Sequence, residues 1–326
     1  MVIRRMEPNQ SPRHAKALTM LIVATVFWGL SFPVMKSLNL LQQQLIPGSS
    51  SWFVTTLTVS VRFGLAGFLV LGACMRTIRL ATRLEWSQGL GLAIFGCIGL
   101  IFQTDGLAYT SASTSAFLTQ GYCLLLPGIV AFRDRRQPSG VLLLSCVLMI
   151  FGIGILAEID PRKMQLGRGE IETLLASLLF TGQILWLERP KYAENNVNHF
   201  SSIMFFGTAL VALPLALFTM HQPSDFIVAF STPATWLLTA VLVLPCTMLS
   251  YMLMNHWQRH VPAAEAGLIY GVEPVFATLF ALFLPQWISQ FAGLNYENET
   301  ATVHLLIGGG LILLANIIIQ VGRKGH

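Results

Sequence analysis

Ten stretches of the chain are apolar almost from end to end, and each has the roughly 20 residues a helix needs to cross about 30 Å of hydrocarbon. They run approximately 17–38, 54–75, 86–108, 111–132, 139–157, 169–188, 199–219, 233–254, 261–285 and 302–321. In lipid every backbone N–H and C=O must be satisfied internally, so such blocks have helices as their economical solution. Charge content agrees. Only 11% of the 326 residues are charged, against about 25% in soluble domains, too few to cover a soluble fold of this size. The expectation is an all-α integral membrane protein with ten transmembrane helices.

Lys and Arg placement sets the expected orientation. With the N-terminus cytoplasmic, fifteen of the 20 Lys and Arg fall in cytoplasmic segments; Arg162, Lys163 and Arg168 fall outside, and Lys36 and Arg62 lie within helices. Both termini then face the cytoplasm. The sequence pI near 9.1 follows from topology and anionic lipid, not from nucleic acid. The first block is expected to stay as a helix, since no small-residue cleavage site follows it. All five cysteines lie in apolar blocks without CxxC spacing, so packing is expected of them and neither disulfide nor metal.

Sliding the chain by about 150 positions brings its halves together. "LAYTSASTSAFLTQGYCLLLPGIVAF" lies over "WQRHVPAAEAGLIYGVEPVFATLFAL", placing Gln120 on Tyr270, Gly121 on Gly271 and Cys123 on Glu273. "ATVFWG" similarly pairs with "ASLLFTG". Five helices per half is an odd number, so the halves enter the membrane from opposite sides. That is an inverted-topology repeat, with residues 1–158 holding the N-terminal segment and first repeat and 159–326 the second repeat and a short tail. Many secondary transporters build a midplane site between such repeats.

The chain resembles the EamA-type transporters of the drug/metabolite transporter superfamily. The residues that carry the resemblance are "FWGLSFPVMK", "VRFGLAGFLVL", "GLAYTSASTSAFLT" and "YMLMNHWQRHVPAAEAGLIYGVEPVFATLFAL". Their order spans about 17–321. The sequence departs from the family in lacking Gly-Glu after blocks four and nine and in a long loop, "QWISQFAGLNYENETAT". The resemblance implies export or exchange of a small polar or amphipathic metabolite, amino-acid-like, at the cell inner membrane. Protons are the candidate coupling ion.

An ionised group at mid-bilayer costs about 2.5–3.5 kcal/mol on insertion scales, so each one needs a reason. Glu273 lies half-way along block nine, and Arg62 sits at nearly matching depth in block two. An interaction between them, direct or through water, is expected; it is either a structural pair or a carboxylate that couples transport to protons. Pro274 frees the carbonyl of Tyr270, and Pro33 and Pro127 mark further expected irregularities in blocks one and four. Blocks four and nine are read as central and cavity-lining, with Gln120 and Tyr270 on their inner faces. Trp28, Ser31, Gln103, Gln183, Trp186 and Tyr251 complete the candidate substrate contacts; each has packing as its alternative.

Lys36, near the outer mouth, has Asp105 as a candidate partner. Gly267 and Gly271 form a GxxxG read as helix packing, and Glu265 is read as satisfied by Arg259 or water. His256 and His260 have metal-compatible spacing but no third ligand, so no metal or cofactor is expected.

The function expected from the sequence is therefore a secondary transporter working by alternating access. A GxxxxGK[ST] loop, HExxH and GxSxG are absent, which argues against ATP as energy source and against familiar hydrolase sites. A non-transporting scaffold or sensor and a lipid-modifying enzyme are the alternatives.

Overall fold

The computed structural model describes residues 12–133, 139–156, 166–187, 189–261, 266 and 269–322. Among these the chain is helical, with no strand. The elements are α1 (Pro12–Leu45), α2 (Ser51–Cys74), α3 (Arg83–Gly106), α4 (Ala112–Thr119), α5 (Tyr122–Arg133), α6 (Gly140–Leu156), α7 (Arg168–Leu187), α8 (Val197–Thr219), the short α9 (Asp225–Val228), α10 (Pro233–Val243), α11 (Ser250–Trp257), α12 (Glu273–Ala281), α13 (Leu284–Ala292) and α14 (Val303–Gly322). A π-helical turn, Leu244–Leu249, joins α10 to α11. The 158/159 joint, Glu265 and Gly267 lie outside the described residues, as does the side chain of Arg259.

Among the described residues six helices are long and apolar enough to cross a membrane, and a seventh span results if α12 and α13, bent by 50°, count as one. Ten uniform spans do not appear, and the reasons are local. Block four is split into α4 and α5 at Gln120–Gly121, leaving two pieces too short to span. Block five forms the 17-residue α6, and part of the supposed loop after block nine is α13. Large apolar side chains cover the outside, among them Phe68 (66% exposed) and Phe132 and Phe218 (87% each). Such a surface suits lipid and not water.

Helix starts are written in the sequence. Ser50, Ser111 and Thr232 accept from the backbone N–H three residues on, and Thr82 and Glu85 form a reciprocal capping box at α3. These satisfy donors that the first helical turn leaves orphaned.

Packing repeats itself across the halves. α1 lies on α12 as α7 lies on α4; α3 lies on α7 as α11 lies on α1; α3 lies on α8 as α10 lies on α2. The contacts α2–α8, α4–α12 and α6–α14 map onto themselves when each block is exchanged for its counterpart five later. Glycines permit the closest of these approaches. A Cβ on Gly29 would stand 2.7 Å from Phe276 Cβ and 2.8 Å from Ala277 N, and one on Gly308 would meet Gly152 O at 2.8 Å.

The prolines act differently from expectation. α1 passes Pro33 and α5 passes Pro127 without interruption. A membrane helix tolerates one missing backbone bond where neighbouring turns and side chains compensate. Pro274 does not kink a helix either. It lies in the first turn of α12, where a missing N–H costs nothing; the break comes just before it, at Gly271–Val272.

Candidate functional site

Where the halves meet, a partly open cavity of about 100 Å³ lies between helices of both. Trp28 and Ser31 of α1, Arg62 of α2, Gln103 of α3, Gln183 of α7, Tyr251 of α11, and Tyr270 and Glu273 border it. Thr119, Tyr122, Phe180 and Met254 also border it and were not singled out from the sequence. At about 30 Å³ per water, it holds a few waters. Drug-sized ligands fill cavities of about 300–1,000 Å³, so admitting such a solute requires the helices to part.

Glu273 is 7% exposed and opens α12, where a carboxylate complements the helix N-terminus. Its one hydrogen-bond partner among the described residues is Gln120, whose Nε2 donates to Oε2 at 3.4 Å. Gln120 itself is fully buried and stands behind the cavity wall, in the joint between α4 and α5. It therefore reaches the site through Glu273.

Arg62 is 3% exposed and is held by the π-helical turn. Nε donates to Thr247 Oγ1, Nη2 to Cys246 O at 3.1 Å and Nη1 to Met35 Sδ at 3.1 Å. The extra residue in such a turn leaves a carbonyl without its usual helical donor; Cys246 O accepts from the Ser250 hydroxyl as well as from Arg62. Arg62 and Glu273 thus face one cavity without bonding each other. The guanidinium is spent on neutral acceptors close to α2, which explains why the direct ion pair is not made.

Around the charges is an aromatic wall. Trp28 meets Tyr251 and Tyr270 edge-on, with ring centroids 5.7 and 5.5 Å apart. The Tyr270 hydroxyl donates to Gln258 at 3.0 Å, and Gln103 Nε2 donates to Thr119 Oγ1 at 3.0 Å. Gln183 donates to Leu92 O at 3.5 Å, and Ser31 to Trp28 O at 2.7 Å. Trp28 Nε1 is buried without a hydrogen-bond partner among the described residues.

Trp186 does not border the cavity. It lies at the far end of α7, with Nε1 donating to Ser87 O at 3.3 Å and the Arg189 guanidinium 3.8 Å from its ring. Asp105 pairs with Arg168 at 2.5 Å and not with Lys36, whose amine donates to Thr110 O at 2.5 Å. Among the described residues no group of three or more His, Cys, Asp and Glu is arranged to hold a metal ion.

No family model matches the sequence. The chain is 26% identical over 307 residues to an uncharacterized transporter of Archaeoglobus fulgidus, covering 92% of this chain and 84% of that protein. A solved structure described only as the crystal structure of a protein superposes with a TM-score of 0.61, at 15% identity, over 95% of this chain and 98% of the other. The second likeness shows a shared fold. The first aligns this multi-pass helical membrane protein with a transporter along nearly its whole length.

Proposed function

We propose that the protein is a secondary transporter of EamA type that moves a small polar or amphipathic, amino-acid-like metabolite by alternating access. One observation carries the reading: a cavity between the halves faces both a buried guanidinium and a buried carboxylate, each bonded among the described residues to neutral groups. Buried charges without counter-charges are costly, and a solute bearing both signs relieves the cost while bound. The aromatic wall suits an apolar side chain. Similarity to an uncharacterized transporter supports the same class.

The proposed architecture is ten membrane passages in two inverted five-helix repeats, residues 1–158 and 159–326. Its support is the exchange of packing partners between halves and the matching breaks at Gln120–Gly121 and Gly271–Val272. The Lys and Arg distribution supports cytoplasmic termini, and the cytoplasmic membrane is the proposed location. Opening alternates as one set of helices rocks against the other around the cavity. Protons are the proposed coupling ion, with Glu273 as their carrier.

Reconstitution into liposomes tests this. Labelled amino acids and related metabolites are screened with and without a pH gradient. The proposal expects accumulation by the wild type that Glu273→Gln abolishes while the protein stays folded. Accumulation that persists unchanged in Glu273→Gln would reduce Glu273 to a structural role.

A further inference from the structure

Beyond the cavity, toward the end of the bundle where α1 finishes, the space between α1, α2 and α3 is polar although it is sealed. Asn39, Gln42, Thr55, Thr58, Thr104 and Asp105 are all at most 2% exposed. They reach across the helices: Asn39 Nδ2 donates to Thr104 O at 3.1 Å and Thr58 Oγ1 to Gln42 Oε1 at 2.7 Å. Met35 Sδ joins this cluster to the cavity, accepting from Arg62 at 3.1 Å and from Thr104 at 3.6 Å. Yet Asn39 Oδ1 and Gln42 Nε2 have no partner. Such amides in a membrane span call for water, held between the helices or admitted when they part.

One residue closes the end of this cluster. Arg168 Nη2 bonds Asp105 Oδ2 at 2.5 Å, Nε bonds Glu172 Oε1 at 2.7 Å and Nη1 bonds the Tyr109 hydroxyl at 2.7 Å. It also donates to Ser51 at 3.5 Å, and its guanidinium lies 4.2 Å from the centre of the Tyr109 ring. A single fork therefore ties the start of α2, the end of α3 and the start of α7. Charge-assisted, multidentate arginine contacts are the strong class of hydrogen bond. Glu172 lies beside Asp105, so one arginine holds two neighbouring carboxylates.

We infer that this polar cluster is the closed passage between the cavity and one membrane face, and that Arg168 is the latch that holds it shut. The inference rests on the transport reading. When the latch parts, water enters between α1, α2 and α3 and satisfies the orphaned amides. The passage is lined with hydrogen-bonding groups throughout, so the solute it admits is polar.

The test uses the full chain in sealed vesicles of known orientation, with Thr58→Cys as reporter and a membrane-impermeant maleimide applied to each face in turn. The same protein without the reporter gives the background from the native cysteines. Arg168→Ala is expected to raise reporter labelling about tenfold from one face alone, the shift produced by removing about 1.4 kcal/mol from the closed state. Asp105→Asn, which is isosteric, carries the test if Arg168→Ala does not fold. Equal labelling of wild type and variants from that face overturns the latch and leaves alternating access standing. Absence of labelling from either face in every variant overturns the passage, and the uptake assay then decides whether transport falls with it.

Discussion

Gln120 and Glu273 are 153 positions apart in sequence, and the amide nitrogen of one meets the carboxylate of the other at 3.4 Å. Each lies at a break in a central helix, Gln120 between α4 and α5 and Glu273 where α12 begins. The breaks occupy equivalent places in the two halves, since Gln120 aligns with Tyr270 and Gly121 with Gly271. This pair joins the halves at the bottom of the cavity. Gln120→Ala leaves a buried carboxylate without its donor, at a cost of about 1–3 kcal/mol. Denaturation in detergent micelles is expected to show that loss, with Glu273→Gln closer to wild type in stability.

Arg62 calls for a different substitution. Its three nitrogens reach a hydroxyl, a carbonyl and a thioether in separate directions, a fork that an ammonium cannot reproduce. Arg62→Lys is expected to fold and to lose most substrate uptake. Thr247→Val, which removes one acceptor from the arginine, is expected to lower stability by about 1.5–3 kcal/mol. Wild-type uptake by Arg62→Lys would remove the guanidinium from the site.

Helix spacing gives a prediction with its own control. A Cβ at Gly152 would stand 2.8 Å from Ile312 Cγ1 and 2.9 Å from Gly308 O, whereas one at Gly154 meets nothing within 4 Å. Gly152→Ala is expected to destabilise the α6–α14 contact by about 1–3 kcal/mol. Gly154→Ala, on the same helix, is expected to be neutral or slightly stabilising. Thermal unfolding of the two variants side by side checks both.

Glu299 caps a helix from a distance. Its carboxylate accepts from Ala112 N at 2.6 Å and Ser113 N at 3.2 Å, the opening turn of α4. Loss of a capping side chain costs about 0.5–2 kcal/mol. Glu299→Ala is expected to speed amide hydrogen exchange at 112–114 while leaving α2 and α8 unchanged.

How far the sequence leads depends on what each feature is made of. Apolar length is read directly, so the ends of α2, α3, α7 and α8 fall near their expected limits. The irregular centre of block nine was visible in Glu273–Pro274, because a carboxylate and a missing donor stand out in an apolar run. Its twin at Gln120–Gly121 was read only as a cavity-facing stretch; Pro127, the residue expected to mark the irregularity, lies in an unbroken helix. Depth along a helix pointed to Trp28 and Arg62, which border the cavity, but depth does not fix direction. Trp186 points to Ser87 and Arg189 instead.

Backbone atoms were the least legible. The Cys246 carbonyl that accepts from Arg62 lies in a π-turn, for which Pro245 was the signal in the sequence. Arg168, counted in the sequence as a charge outside the membrane, shows its part only once Ser51, Asp105 and Glu172 converge on it.

The most direct test of the account needs no knowledge of the substrate. A single reporter, Ser31→Cys, lies on the cavity wall and is probed with an impermeant thiol reagent from each face of the same oriented vesicles. Alternating access predicts that the reagent reaches it from both faces, with conditions that favour one side protecting it from the other. Labelling from one face alone, under every condition that leaves the protein folded, would contradict transport through this cavity.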